Sequence, residues 1–116
     1  MQSHKIYRTS EDIKRELTDI LRSLKDPRIK GFISILRVDA AKDLSVAKIY
    51  ISAIEGLDTA KDAIKGLEAA SGFIRRELAL RLQLRHTPTL KFIPDNSIEH
   101  GAHINKVLES LKNGDE

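Results

Sequence analysis

The tripeptide Ala70-Ser71-Gly72 lies between two segments that each carry the spacing of an amphipathic helix, and no other stretch limits the fold as much. Upstream, Ala60, Ala63, Ile64 and Leu67 form an apolar stripe within Asp58 to Ala69; downstream, Ile74, Leu78 and Leu82 do so within Phe73 to Leu82. One straight helix from Asp58 to Gln83 would hold about 26 residues and run about 39 Å. A compact domain of this length has a radius of gyration of about 13 Å, so as a sphere it is about 35 Å across, and the rod would overhang its own core. Glycine inside a helix costs ~1 kcal/mol relative to alanine, and the Ser71 hydroxyl competes for local backbone groups. The expectation is two helices broken at Ser71-Gly72, with Gly72 in a conformation that alanine would resist.

The rest of the chain arranges itself around this pair. Residues Met1 to Arg8 have no packing pattern and are expected to fray. From Thr9, the positions Ile13, Leu17, Ile20, Leu21 and Leu24 predict a helix capped by Thr9 or Ser10 and stopped near Lys25, because Pro27 drives Asp26 out of helical geometry. Phe32 to Val38 and Val46 to Ile54 then read as an antiparallel hairpin. In the second strand Ala47, Ile49, Ile51 and Ala53 alternate with Lys48, Tyr50 and Ser52, so one face packs and the other stays wet. In the first, Ile33 and Ile35 change phase against Leu36 and Val38, which predicts a bulge at Leu36-Arg37 that turns Val38 inward. Gly56 ends the hairpin and Asp58 caps the next helix. Thr89 to Ile93 is a short strand with Leu90 and Phe92 on one face, and Ile98 to Leu111 carries the pattern of a terminal helix. Helices on one side of a three-stranded sheet bury every stripe at once, giving an α+β two-layer sandwich over residues 1–116 as one domain, with 1–8 and 113–116 as loose ends. The last strand joins either edge on this reasoning. Leu17, Ile20, Ile49, Ile51, Ile64, Leu67, Ile74 and Leu78 are the expected core.

Composition removes several functions. With no cysteine, disulfides, thiolate nucleophiles and cysteine-held zinc are excluded. No apolar run approaches the ~20 residues of a membrane span, and the polar start lacks a secretory signal, so a cytoplasmic protein is expected. His100 and His103, beside Glu99, make half a metal site at most and are expected to be exposed or capping. No Gly-rich phosphate loop with its Lys and Ser/Thr is present, and Ser71 and Ser97 have no nucleophile context. Neither catalysis nor a cofactor is expected. The formal charge of +3 leans toward an anionic partner without requiring one.

A second line of inference comes from a set of short motifs. Asp26-Pro27-Arg28, Asp43-Leu44 leading into Ala47-Lys48-Ile49-Tyr50-Ile51, Ala70-Ser71-Gly72-Phe73-Ile74-Arg75, Leu84-Arg85 before Pro88, Leu90 and Phe92, and Asp95-Asn96-Ser97 together resemble bacterial ribosome-binding factor A over nearly the whole chain. The resemblance implies a type II KH-like fold in which Ala70-Ser71-Gly72 is a structural kink replacing the Gly-x-x-Gly loop of ordinary KH domains. It further implies late maturation of the small (30S) ribosomal subunit, processing of the 5′ region of 16S rRNA and growth in the cold. Many members carry a long flexible C-terminal extension, and this chain ends soon after Leu111. The implied partners are the small subunit and 16S rRNA, with no membrane, no small-molecule substrate and a monomeric state. Two other readings stay open: a general KH-like RNA-binding or transcription-associated module, which would be expected to keep a Gly-x-x-Gly loop, and a small hydrolase or metal enzyme, which would need a carboxylate or histidine cluster.

Basic residues gather near the junction. Lys61 and Lys65 stand one helical turn apart, Arg75 and Arg76 open the second arm, where free amides and the helix dipole favour phosphate, and Arg85 lies beyond its far end. These five are the candidate RNA-binding residues; the alternative is ordinary charges on solvated faces, with Glu68 and Glu77 nearby to neutralise some of them. Phe32, Phe73 and Phe92 are expected in the core, so base stacking is left to Tyr50, on the wet sheet face beside Lys48.

Overall fold

The computed structural model describes residues 2–95. Its elements run α1 (Gln2–Ser23), β1 (Ile33–Ala40), β2 (Val46–Ala53), α2 (Leu57–Ala69), α3 (Ser71–Leu82) and β3 (Thr89–Pro94). The terminal segment with Ile98 to Leu111, and His100, His103 and Glu99, lie outside the described residues. Helix α1 begins well before Thr9, running back through the segment expected to fray, so Thr9 and Ser10 sit inside it and cap nothing. Ser10 instead is buried, and its Oγ accepts a hydrogen bond from the Ala40 amide at 3.1 Å, fastening α1 to the end of β1.

The hairpin forms as its alternation requires, with Ile33 opposite Ala53 and Ala40 opposite Ala47. A register shift between Ile35 and Arg37 marks the bulge; because of it Ile35 and Val38 both face the core while Arg37 is exposed. Alternation on β2 fails at Ser52, which is buried with no hydrogen-bond partner for its Oγ among the described residues. The reason is position: β2 is the central strand, and at this end it lies between Ser34 and the end of β3. β3 settles the open choice of edge by pairing parallel with β2, from Val46 opposite Thr89 to Ile51 opposite Pro94.

Gly56, at φ 119°, turns the chain into α2 with no side-chain cap. Asp58 therefore does not cap α2; it lies in the first turn and contributes only its charge to the positive helix end. Helix α1 packs on β1 and α3, and α2 on β2 and β3. One core joins Ile13, Leu17 and Ile20 to Val38, Ile49, Ile51, Ile64, Leu67, Ile74, Leu78 and Phe92, so every expected core residue is buried. Phe32 and Phe73 are not: they are 72% and 42% exposed, since Phe32 precedes the first paired residue of β1 and Phe73 falls on the outer side of α3. Helices cover one sheet face while Ser34, Arg37, Asp39, Lys48 and Lys91 are exposed on the strands, which is the expected two-layer α+β arrangement. No helix among the described residues is long and apolar enough to cross a membrane.

Candidate nucleic-acid interface

The break between α2 and α3 falls on Ala70, at φ −95° and ψ 8°. This corrects the expected break at Ser71-Gly72. The bridge region Ala70 occupies is open to residues with side chains, so no glycine is needed to make the turn. Ser71 and Gly72 are the first residues of α3, Gly72 does not have positive φ, and a Cβ placed on it would meet nothing within 4 Å. The bend lets the α2 stripe lie on the sheet while α3 leans on α1, which one straight rod could not do.

What the break leaves is a helix start with no side-chain cap. Ala70 still donates to Gly66 and Leu67, and the Ile74 amide returns to the Ala70 carbonyl at 2.9 Å. Ser71, Gly72 and Phe73 are the first three residues of α3, whose amides have no acceptor within their own helix, and Gly72 and Phe73 are exposed. The first-turn amides at the positive end of a helix dipole favour an anion, and the missing side chain at Gly72 lets that anion come close.

The five basic residues divide around this point. All are exposed. Lys65 and Arg76 flank the break within about two turns on either side, and Lys61 stands one turn farther back along α2. Arg75 is committed elsewhere: its Nε donates to the Pro88 carbonyl at 3.1 Å and an Nη to that of Thr87 at 3.0 Å, clamping the start of α3 to the loop before β3. Its charge remains, since both acceptors are neutral. Arg85 lies past the C-terminal end of α3, in the loop that Arg75 holds, not beside the bend. Lys61, Lys65, Arg76 and Arg85 make no ion pair among the described residues. By contrast Arg15, Arg28, Arg37 and Arg81 are all paired with carboxylates, Arg81 reaching Asp19 at 2.6 Å to bridge α3 and α1.

One supporting residue escaped the sequence reading. Gly66 is buried in α2, and a Cβ there would lie 2.8 Å from Ile29 Cγ1 and 3.2 Å from Asp26 Cγ, so only glycine lets the Asp26-Pro27-Arg28-Ile29 turn pack flat on the helix. That turn is stiffened from within. The Asp26 carboxylate accepts from the Arg28 guanidinium at 2.6 and 3.0 Å and from the Arg28 amide at 2.9 Å, and these bonds, the side-chain ones foremost, hold its pKa down to about 2. A glycine placed on the apolar stripe, between Ala63 and Leu67, was the available signal. Tyr50, expected to be a stacking residue, is half-buried and has the Arg37 guanidinium over its ring, 4.2 Å from the centroid.

Comparison with known proteins agrees along most of the chain. A sequence model of the family described as ribosome-binding factor A matches residues 5–108. Ribosome-binding factor A of Acetivibrio thermocellus is 49% identical over 105 residues, covering 90% of this chain and 85% of that one, and the Desulfitobacterium hafniense protein is 43% identical over 117 residues, covering 100% and 93%. The crystal structure of ribosome-binding factor A from Thermus thermophilus superposes with a TM-score of 0.69 at 28% identity, covering 77% of this chain and 93% of that chain. A second set of Thermus thermophilus coordinates, fitted into a cryo-EM map of a 30S complex with ribosome-binding factor A, gives 0.61 at 30% identity, covering 72% and 88%.

Proposed function

The chain belongs to the ribosome-binding factor A family, and from that premise we propose that it binds the small ribosomal subunit, gripping phosphates of 16S rRNA at the start of α3. The observation that carries this reading is the conjunction at the bend: a helix start with an exposed glycine in its first turn, and Lys61, Lys65 and Arg76 nearby, none of them in an ion pair among the described residues. The charges supply long-range attraction; the amides supply position. Binding of this kind reads RNA shape and backbone, not base sequence. Support for the partner comes from the Thermus relative fitted into a 30S complex. The finer reading is a cytoplasmic factor that works by binding, without catalysis, on late precursors of the small subunit, assists processing of the 5′ region of 16S rRNA and matters most in the cold. Arg75 acts in it by holding the helix start in place, and Arg85 by extending the basic surface along α3.

The test is association with purified immature small subunits across a salt series, for the unmodified chain and for Lys65→Gln with Arg76→Gln. Each phosphate no longer engaged is expected to lower the slope of log K against log[salt] by about 0.7 to 0.9, with the melting temperature unchanged. An unchanged slope in the folded double variant removes this surface. Failure of the unmodified chain to bind subunits removes the function.

A further inference from the structure

The sheet face turned away from the helices carries a second group of side chains, and the bend does not use them. Lys48 and Lys91 are register partners on the parallel strands β2 and β3; both are exposed, and neither makes an ion pair among the described residues. Like charges side by side on neighbouring strands destabilise a sheet. The carboxylate that could relieve them is engaged: Asp39 lies opposite Lys48 on β1, but its Oδ2 is 3.4 Å from the Arg37 Nε, and Asp95 also bears on Arg37. The two lysines are thus held side by side by strand pairing, with no ion-pair partner among the described residues.

The next row on the same face is Arg37, Tyr50 and Ile93, about 7 Å farther along the strands. Arg37 reaches this face only because of the bulge; in unbroken alternation from Ile35 it would point into the core. Its guanidinium lies on the Tyr50 ring, 4.2 Å from the centroid, with the arginine side chain 63% exposed. The solvent side of the guanidinium is therefore exposed.

We propose that this face is a second RNA-binding surface that takes an unpaired nucleotide: the phosphate sits between Lys48 and Lys91, and the base stacks on the outer plane of Arg37, continuing its stack on Tyr50. Charge complementarity selects a polyanion, and the flat guanidinium selects a base over a bare phosphate. The proposal rests on the reading that the chain binds rRNA, and adds to it a site for a single strand, separate from the phosphate grip at the bend.

The experiment uses the full chain and a short fluorescein-labelled oligoadenylate, followed by anisotropy across a salt series, with immature subunits as a second target. Lys48→Gln with Lys91→Gln is expected to lower the salt slope by about 0.7 for each single-strand phosphate that is no longer neutralised. Arg37→Lys, which keeps the charge and removes the plane, is expected to lose affinity severalfold with the slope unchanged. Titrating the oligonucleotide into the unmodified chain is expected to shift the amide resonances of Tyr50 and Lys91, a readout that needs no variant. Four results overturn the proposal: sheet-face variants that bind the oligonucleotide as the unmodified chain does; amide shifts confined to the α3 start; no oligonucleotide binding by a chain that still binds subunits; or a lysine double variant that loses subunits but keeps the oligonucleotide, which would assign the face to a protein partner. None of these touches the bend reading, which falls only with subunit binding itself.

Discussion

Gly72 separates the demands of folding from those of binding. It is helical, does not have positive φ, and has open space where a Cβ would go, so nothing in the fold requires glycine there. Gly72→Ala is therefore expected to stabilise the protein by up to ~1 kcal/mol, seen as a raised urea midpoint with an unchanged m-value. The same methyl leans toward the N-terminal end of α3, over its first-turn amides. Subunit binding by Gly72→Ala is expected to weaken while stability rises. A lowered midpoint would mean the helix start is strained after all, and unaltered binding would mean no phosphate approaches those amides. Asp26 gives a second test at this scale. Its folded pKa of about 2 lies below the ordinary value of 3.8, so its contribution to stability is fully present above about pH 4 and is lost as pH falls through about 2. Carboxyl carbon shifts are expected to place its titration near the bottom of that window, and a midpoint near the ordinary carboxylate value would show that the Arg28 bonds do not persist in solution.

Among the elements, α2 depends on a residue that intrinsic propensity would argue against. Gly66 costs the helix ~1 kcal/mol relative to alanine, yet an added Cβ at 2.8 Å from Ile29 Cγ1 must push the turn after α1 outward. The obstructing atom is a branch carbon near the backbone, which cannot swing aside as a chain end would. Gly66→Ala is expected to lose more in overpacking than it gains in propensity, a net cost of about 1 kcal/mol or more, read as a lowered urea midpoint. Stabilisation by this change would show that the turn yields freely. Two glycines six residues apart in one helical pair thus answer the same substitution with opposite signs. The difference lies only in what surrounds them: Gly66 faces another segment and Gly72 faces open space.

For the whole molecule, the helical layer and the open sheet face divide the work. The helices close the core and present the start of α3; the sheet's other face keeps its charged side chains in water. Much of this division was legible in the sequence because it follows from periodicity. The three-residue and four-residue spacing of α1, α2 and α3, the two-residue alternation of β2 and the phase change in β1 determined the elements, the buried face and the bulge. The motifs supplied the family. Other features had no local signal, because they depend on which segments meet. α1 extends through Gln2–Arg8 without an apolar stripe to announce it. The edge chosen by β3, the break at Ala70 in place of Ser71-Gly72, and the exposure of Phe32 and Phe73 each follow from how the layers pack. The candidate site divides the same way. Its basic residues can be counted along the chain, but whether a cation is free or spent is decided by its neighbours in space. Arg75 is held by the carbonyls of Thr87 and Pro88, Arg81 by carboxylates on α1, and Lys48 is set beside Lys91 by strands distant in sequence. Sequence determines which charges exist and tertiary structure determines which remain uncompensated, because electrostatic pairing acts over a few ångströms of space and takes no account of separation along the chain.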